Sequence, residues 1–374
     1  MRPVFSRSLR FTSVVAIGAI CVAGFVPASG ASTPTTTVNV VGYSVLKAAY
    51  AAVETAFQAT PAGAGVGFTN SFGASDTQTQ NVANGQAADL VNLSYVPNIQ
   101  TLVTAGKVPA SWARQEYVFA HVNATLTGAK AQTTFPTPGI VTNSVVTFLV
   151  RQGNPLKIKT WSDLVKPGVQ IVTPNPLTSG SAHWNILGAY ASQLQIGKSG
   201  TQARAYLKEF LSHTVAQPSS GSASLAAFVA GTGNVLITYE DDARAAVSAG
   251  DQVQIVTPPQ TFLIQNPVAL TLNGLSKPAA VNFYKYLFSA AGQGIFASLG
   301  FRSVLSSIWA ATKSQFPARN TSSALWSVTN INKQGWTFVN PFLFSPNVTF
   351  VKGSSTDPLV GVATYYEQFA GSGS

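Results

Sequence analysis

From Val38 onward, short apolar runs of strand length alternate with stretches whose apolar positions recur at helical spacing. Val38–Val41 is a β-branched run. Leu46, Ala49, Tyr50, Val53 and Phe57 then share one helical face. A second strand is predicted over Val66–Thr69, followed by a helix ending near Gly85, and a third strand over Leu90–Leu93. The scheme repeats in the middle of the chain. Val145–Val150 is broken by Gly153-Asn154-Pro155, and Trp161–Val165 is a short helix closed by Lys166-Pro167-Gly168. Val169–Val172 precedes a helix over Ser181–Leu194. Later elements are a helix over Ala203–Leu211, strands over Val235–Tyr239, Val253–Val256 and Val268–Leu272, and a helix from Lys277-Pro278 to Phe288. Such alternation predicts α/β layers with mainly parallel sheets.

At several strand-to-helix transitions the chain places glycine and small hydroxyl residues. Gly42-Tyr43-Ser44 precedes the first helix, and Ser71-Phe72-Gly73-Ala74-Ser75 the second. Thr178-Ser179-Gly180-Ser181 precedes the central helix, and Ser219-Ser220-Gly221-Ser222 a helix around Leu225–Val229. A helix start frees backbone N–H groups, and a hydroxyl adds a donor, so such turns hold anions without a full countercharge. The same residues also serve as ordinary helix caps. In open α/β sheets they gather at the carboxyl ends of the strands, where ligands bind.

The 374 residues are 46% hydrophobic, enough for one large or two medium domains with real cores. Only 9% are charged, a composition opposite to that of disordered chains. The net charge of +10 comes from scattered Lys and Arg without a basic run, which argues against nucleic-acid binding. Arg2, Arg7 and Arg10, the apolar stretch Val14–Val26 and the small residues Ala28–Ala31 read as a signal peptide over residues 1–31. An exported protein, periplasmic or associated with the cell surface, is therefore expected. Cys21, the single cysteine, lies in this segment and is a candidate for lipid attachment, although Ile20 before it is bulky for that role. Without it no disulfide, thiolate metal site or cysteine nucleophile is available.

Catalysis finds little support. His121, His183 and His213 lack metal-ligand spacing. Asp241 and Asp242 point in different directions at a helix start, where acids mostly complement the helix dipole. No nucleophile elbow, phosphate loop or dinucleotide fingerprint is present. A binding protein that is not an enzyme, with no cofactor and no metal, is expected.

The run from Thr147 to Tyr190 contains TFLVRQGNP, TWSDLVKPGV and TPNPLTSGSAHW. It is very similar to the centre of bacterial sulfate- and thiosulfate-binding proteins, where FLVRKGNP, W-x-DL-x-KPGV and TPNP-x-(S/T)SGG-x-RW follow in the same order. VANGQAADLVNLS from Val82, NVLITYEDDA from Asn234 (against DVL-x-x-WENEA), FYKYLFSAAGQGIFASLGFR and the Gly335-Trp336 pair with Asn340, Phe344 and Phe350 extend the likeness. The resemblance implies a two-lobed type II periplasmic-binding-protein fold. Lobe 1 would comprise 38–143 with 257–320, lobe 2 144–256, and 321–374 a C-terminal extension packing back across the lobes. It implies a monomeric receptor that captures sulfate or thiosulfate and delivers it to the permease of an ATP-binding-cassette (ABC) importer.

Position by position, the resemblance places ligand contacts at Ser44, Ala74, Ser75, Ser179, Gly180, Ser181, Gly221 and Tyr239, with Asp76 and His183 behind them. Several of these depart from the family. Ser44-Val45-Leu46-Lys47 replaces Asp-Pro-Thr-Arg, and Ala74 replaces a glycine. Asp76-Thr77 replaces Gly-Lys, Ser181 a glycine, His183 an arginine and Tyr239 an indole donor. A fully ionised sulfate offers only acceptors, whereas a protonated phosphate can donate. Asp76, if directed inward, could receive such a proton; as a helix-start acid it is otherwise expected to cap its helix. Phosphate or another tetrahedral oxyanion is thus the alternative ligand, and a surface protein that keeps the fold without transport a lower one.

Overall fold

The computed structural model describes residues 34–115, 138–317 and 325–344. Residues 1–33 with Cys21, as well as His121, Phe350 and the end of the chain, lie outside the described residues. Ten strands form one sheet, β1 (Thr36–Tyr43), β2 (Val66–Gly73), β3 (Leu90–Asn92), β4 (Ile140–Arg151), β5 (Ile171–Val172), β6 (Thr214–Ala216), β7 (Val235–Tyr239), β8 (Val253–Val256), β9 (Leu263–Leu270) and β10 (Arg302–Ser303). Their order is β2-β1-β3-β9-β4-β7-β5-β6, with β8 and β10 also paired to β4.

Parallel pairs, β1 with β2 and β3 and β5 with β6 and β7, occupy the two ends of this order. Every antiparallel pairing involves β4 or β9. These two long strands join the halves. Residues Ile140–Val145 of β4 pair with β9, and Val146–Val150 pair with β7. Strands buried on both faces read as near-continuous apolar runs, as the fully buried β7 does.

Helices cover both faces: α1 (Lys47–Gln58), α2 (Ser75–Ala83), α3 (Val96–Thr104), α4 (Gly180–Gln195), α5 (Gly200–Ser212), α6 (Gly221–Val229), α7 (Glu240–Ser248), α8 (Pro278–Leu287), α9 (Ala290–Ser298) and α10 (Trp336–Phe344). The face read from sequence for α1 is the buried one, with Leu46, Ala49, Tyr50, Val53 and Phe57 all enclosed. One large apolar cluster runs through both halves and contains Trp161, Trp184 and Phe283. A smaller one lies between α2, α3 and the sheet, around Val41 and Leu102, and another against α6 and α7, around Phe228 and Leu236. The α5 start is closed by a reciprocal pair. Gln202 N–H donates to Ser199 Oγ at 3.3 Å, and Ser199 N–H donates to Gln202 Oε1 at 2.9 Å. Ser199→Ala is expected to lower stability by about 1 kcal/mol, read as a fall in the urea midpoint at unchanged slope.

Several boundaries differ from the sequence reading: β1 and β2 run beyond the expected Val38–Val41 and Val66–Thr69, to Thr36–Tyr43 and Val66–Gly73. The strand expected over Val268–Leu272 is β9, Leu263–Leu270, and Leu272 begins a helical turn. That expected over Val169–Val172 is confined to Ile171–Val172. The strand expected over Val145–Val150 starts earlier, at Ile140. Among the described residues no helix is long and apolar enough to cross a membrane.

Candidate functional site

The carboxyl ends of β1, β2, β5, β6 and β7 deliver Ser44, α2, α4, α6 and Tyr239, so the glycine and hydroxyl turns arise where parallel strands give way to helices. Ser44 opens a 3-10 turn. Ala74 is the N-cap of α2 and Ser75 its first residue. Ser179 is the N-cap of α4, followed by Gly180 and Ser181. Gly221 begins α6. Tyr239 ends β7 at the N-cap of α7.

Contacts draw these starts together. Ser222 N–H donates to Ser44 Oγ at 3.3 Å. A Cβ built on Gly221 would lie 3.2 Å from Ser181 Oγ and 3.3 Å from the Val45 side chain. Ser179 Oγ and Ser181 Oγ are 2.7 Å apart. A Cβ built on Gly180 would lie 2.7 Å from Ser94 Cβ and 2.8 Å from the Tyr95 ring, so only glycine lets α4 approach this closely. Ser94 Oγ lies 2.6 Å from Tyr239 Oη, and Ser94 N–H donates to Ser75 Oγ at 2.9 Å. Further bonds join the halves: Asp76 N–H and Thr77 N–H to the Thr178 carbonyl at 3.0 and 3.4 Å, and Trp184 Nε1–H to the Ser94 carbonyl at 2.8 Å.

The first N–H groups of a helix have no intrahelical acceptor. Those of Ser75, Gly180, Ser181 and Gly221 have no other acceptor among the described residues, and all four residues are buried. Four unpaired amide donors therefore point out of the starts of α2, α4 and α6. Burial raises the Tyr239 hydroxyl well above the usual phenol range, so it stays protonated. No group of three or more His, Cys, Asp or Glu among the described residues could hold a metal ion.

Asp76 does not cap its helix, contrary to expectation. Its Oδ1 accepts from Asn98 Nδ2–H at 2.6 Å, and its Oδ2 lies 3.7 Å from His183 Nδ1. Burial lowers the His183 pKa, with Asp76 opposing the shift, and the ring stacks on Tyr95 at 4.5 Å. Asp241 and Asp242 stand in the first turn of α7 as expected, and both are also buried. Ser144 Oγ–H donates to Asp241 at 2.5 Å, and Thr238 Oγ1–H to Asp242 at 2.6 Å. Burial pushes Asp241 up to about 8 and Asp242 to about 6, so Asp241 keeps its proton at neutral pH.

Ser94 and Asn98 escaped the sequence reading. Pro97 in the first turn of α3 was the available signal, since proline fits a helix start.

A family model for bacterial extracellular solute-binding proteins matches residues 38–302. The sulfate-binding protein of Synechococcus elongatus is 34% identical over 307 residues, 80% of this chain and 82% of that one. The thiosulfate-binding protein of Pseudomonas aeruginosa is 28% identical over 288 residues, 74% of this chain and 81% of that one. The structure of the sulfate-binding protein SubI from Mycobacterium tuberculosis superposes with a TM-score of 0.73 at 38% identity, covering 83% of this chain and all of SubI (100%). With its mixed sheet, its two joining strands and these matches, the chain belongs to the bacterial extracellular solute-binding proteins and has their two-lobed type II periplasmic-binding-protein fold.

Proposed function

We propose that the protein is an exported, monomeric receptor that closes on sulfate or thiosulfate between its lobes and presents it to the permease of an ABC importer. The observation that carries this reading is the convergence of four buried, unpaired N–H groups at three helix starts. An anion taken out of water needs its acceptors met, and oriented amides with helix dipoles meet them without a cation. Ser44, Ser179, Ser181 and Tyr239 surround the same starts with hydroxyls, and Ala74 caps α2 without a bulky side chain. The curated relatives named for sulfate and thiosulfate support the cargo.

In this reading lobe 1 is 38–143 with 257–320 and lobe 2 is 144–256. Of the C-terminal extension 321–374, the described residues 325–344 lie against both lobes in this reading, and 1–31 are removed on export. Trp336 of α10 fits the crossing role: its ring lies 5.2 Å from Tyr95 and 5.0 Å from Trp184, one ring from each lobe. Calorimetric titration with sulfate, thiosulfate, molybdate and phosphate should give a submicromolar to micromolar dissociation constant for sulfate or thiosulfate, with no turnover. Absence of heat with all four anions would sink the reading.

A further inference from the structure

The hydrogen bonds around Ser75 fix the direction of its only proton. A carboxylate accepts and does not donate, so the Asn98 edge 2.6 Å from Asp76 Oδ1 is its NH₂ group. The other edge of that amide is then the carbonyl oxygen, and Ser75 Oγ–H donates to it at 2.7 Å. One lone pair of Ser75 Oγ is already taken by Ser94 N–H at 2.9 Å. What remains at Ser75 is a single lone pair. Ser75 and Asn98 are 2% and 3% exposed, so these hydrogen bonds are shielded from bulk solvent.

We infer that Asp76 and Asn98 act as a positioning pair which turns the Ser75 proton away from the bound anion, so that Ser75 accepts from the ligand and the site takes a protonated oxyanion such as hydrogen phosphate as well as sulfate. The inference rests on the oxyanion reading above and refines its ligand class. A P–O–H group satisfies the Ser75 lone pair, whereas every oxygen of sulfate meets it as acceptor against acceptor. The acid acts through Asn98 rather than by touching the ligand, which distinguishes this arrangement from direct proton capture by Asp76.

The experiment is competitive calorimetry with sulfate and inorganic phosphate on protein freed of bound anion, for wild type, Ser75→Ala, Asn98→Ala and Asp76→Asn. Wild type binds both anions. Asn98→Ala frees the Ser75 proton to donate, so the affinity ratio of sulfate to phosphate should rise at least about tenfold. Ser75→Ala should weaken phosphate more than sulfate. Asp76→Asn keeps an oxygen for Asn98 to donate to and should leave the ratio near wild type. A structural role alone would move both affinities together and leave the ratio fixed. An unchanged ratio in Asn98→Ala, or equal losses in Ser75→Ala, overturns this inference while the oxyanion reading stands. A wild-type protein that binds neither anion overturns the oxyanion reading and this inference with it.

Discussion

Gly180→Ala is expected to weaken oxyanion binding by about a hundredfold while leaving the ligand-free protein as stable as wild type. The added methyl would meet Ser94 Cβ at 2.7 Å and the Tyr95 ring at 2.8 Å, distances that real Cβ atoms do not sustain. Ser94 follows β3 in one half of the sheet, and Gly180 starts α4 in the other, so in the proposed closing of the lobes on a ligand the collision arises as the halves come together. Overpacking of this kind costs about 1–3 kcal/mol, and about 2.7 kcal/mol is a hundredfold in affinity. Nothing in α4 itself objects, because alanine has the higher helix propensity. The loss should therefore appear in the dissociation constant and in a larger radius of gyration with ligand by small-angle scattering. An unchanged dissociation constant would mean that the halves do not need this approach to hold the ligand.

The glycine that makes this prediction possible was legible in the sequence, as were the hydroxyls beside it. Thr-Ser-Gly-Ser at the end of a short strand is a local signal: it needs only a turn, a helix start and a donor to be recognised. The strand before it was less legible. Lys166-Pro167-Gly168 sets a turn, and Gln170 N–H is held by the Asn234 side chain at 2.8 Å rather than by a neighbouring strand, so pairing begins late. In β9, Gln265-Asn266-Pro267 reads as a break because proline and amides are rare inside strands. The structure uses those residues instead. The Pro267 carbonyl accepts from Leu93 N–H at 3.1 Å and Asn92 Nδ2–H at 2.8 Å, and Asn266 Nδ2–H reaches the Ser94 carbonyl at 3.0 Å. Tertiary partners thus reverse what the local composition suggests.

The orientation of Ser75 was out of reach for the same reason. Its proton depends on Asn98, and Asn98 depends on Asp76, across a separation of 22 residues. A helix-start aspartate alone suggests a cap, and only the packing of α3 against α2 gives it a different partner. The broad site, a set of N–H groups at helix starts, is a property of local sequence. Its donor and acceptor balance is a property of the fold.

Asp241→Asn is expected to stabilise the protein by on the order of 3 kcal/mol at about pH 9, with the gain vanishing near pH 4. Burial, with the adjacent Asp242 and Glu240 adding to it, raises the Asp241 pKa from 3.8 to about 8. In the unfolded chain the same carboxyl ionises near its ordinary value. Between those two limits the folded state binds the extra proton, so stability is full below about pH 4 and is lost as pH rises towards 8. A tenfold change in an ionisation constant is worth about 1.36 kcal/mol. The figure of about 3 kcal/mol is roughly half of what a carboxyl moved from 3.8 to about 8 would give, because the surroundings relax around the ion. Asparagine matches the protonated acid in shape and keeps an oxygen for the Ser144 hydroxyl, which donates to Asp241 at 2.5 Å. It cannot ionise. Urea unfolding at about pH 4 and pH 9 reads the effect directly: the wild-type midpoint falls between them more steeply than the variant's. A residual slope in the variant is expected from Asp242, whose buried carboxyl is raised to about 6 by the same cause. Equal slopes in both proteins would show that Asp241 does not hold its proton in the folded state. Its ionised carboxylate would then lie close to Tyr239, where it would oppose an anion rather than leave the donors free to bind one.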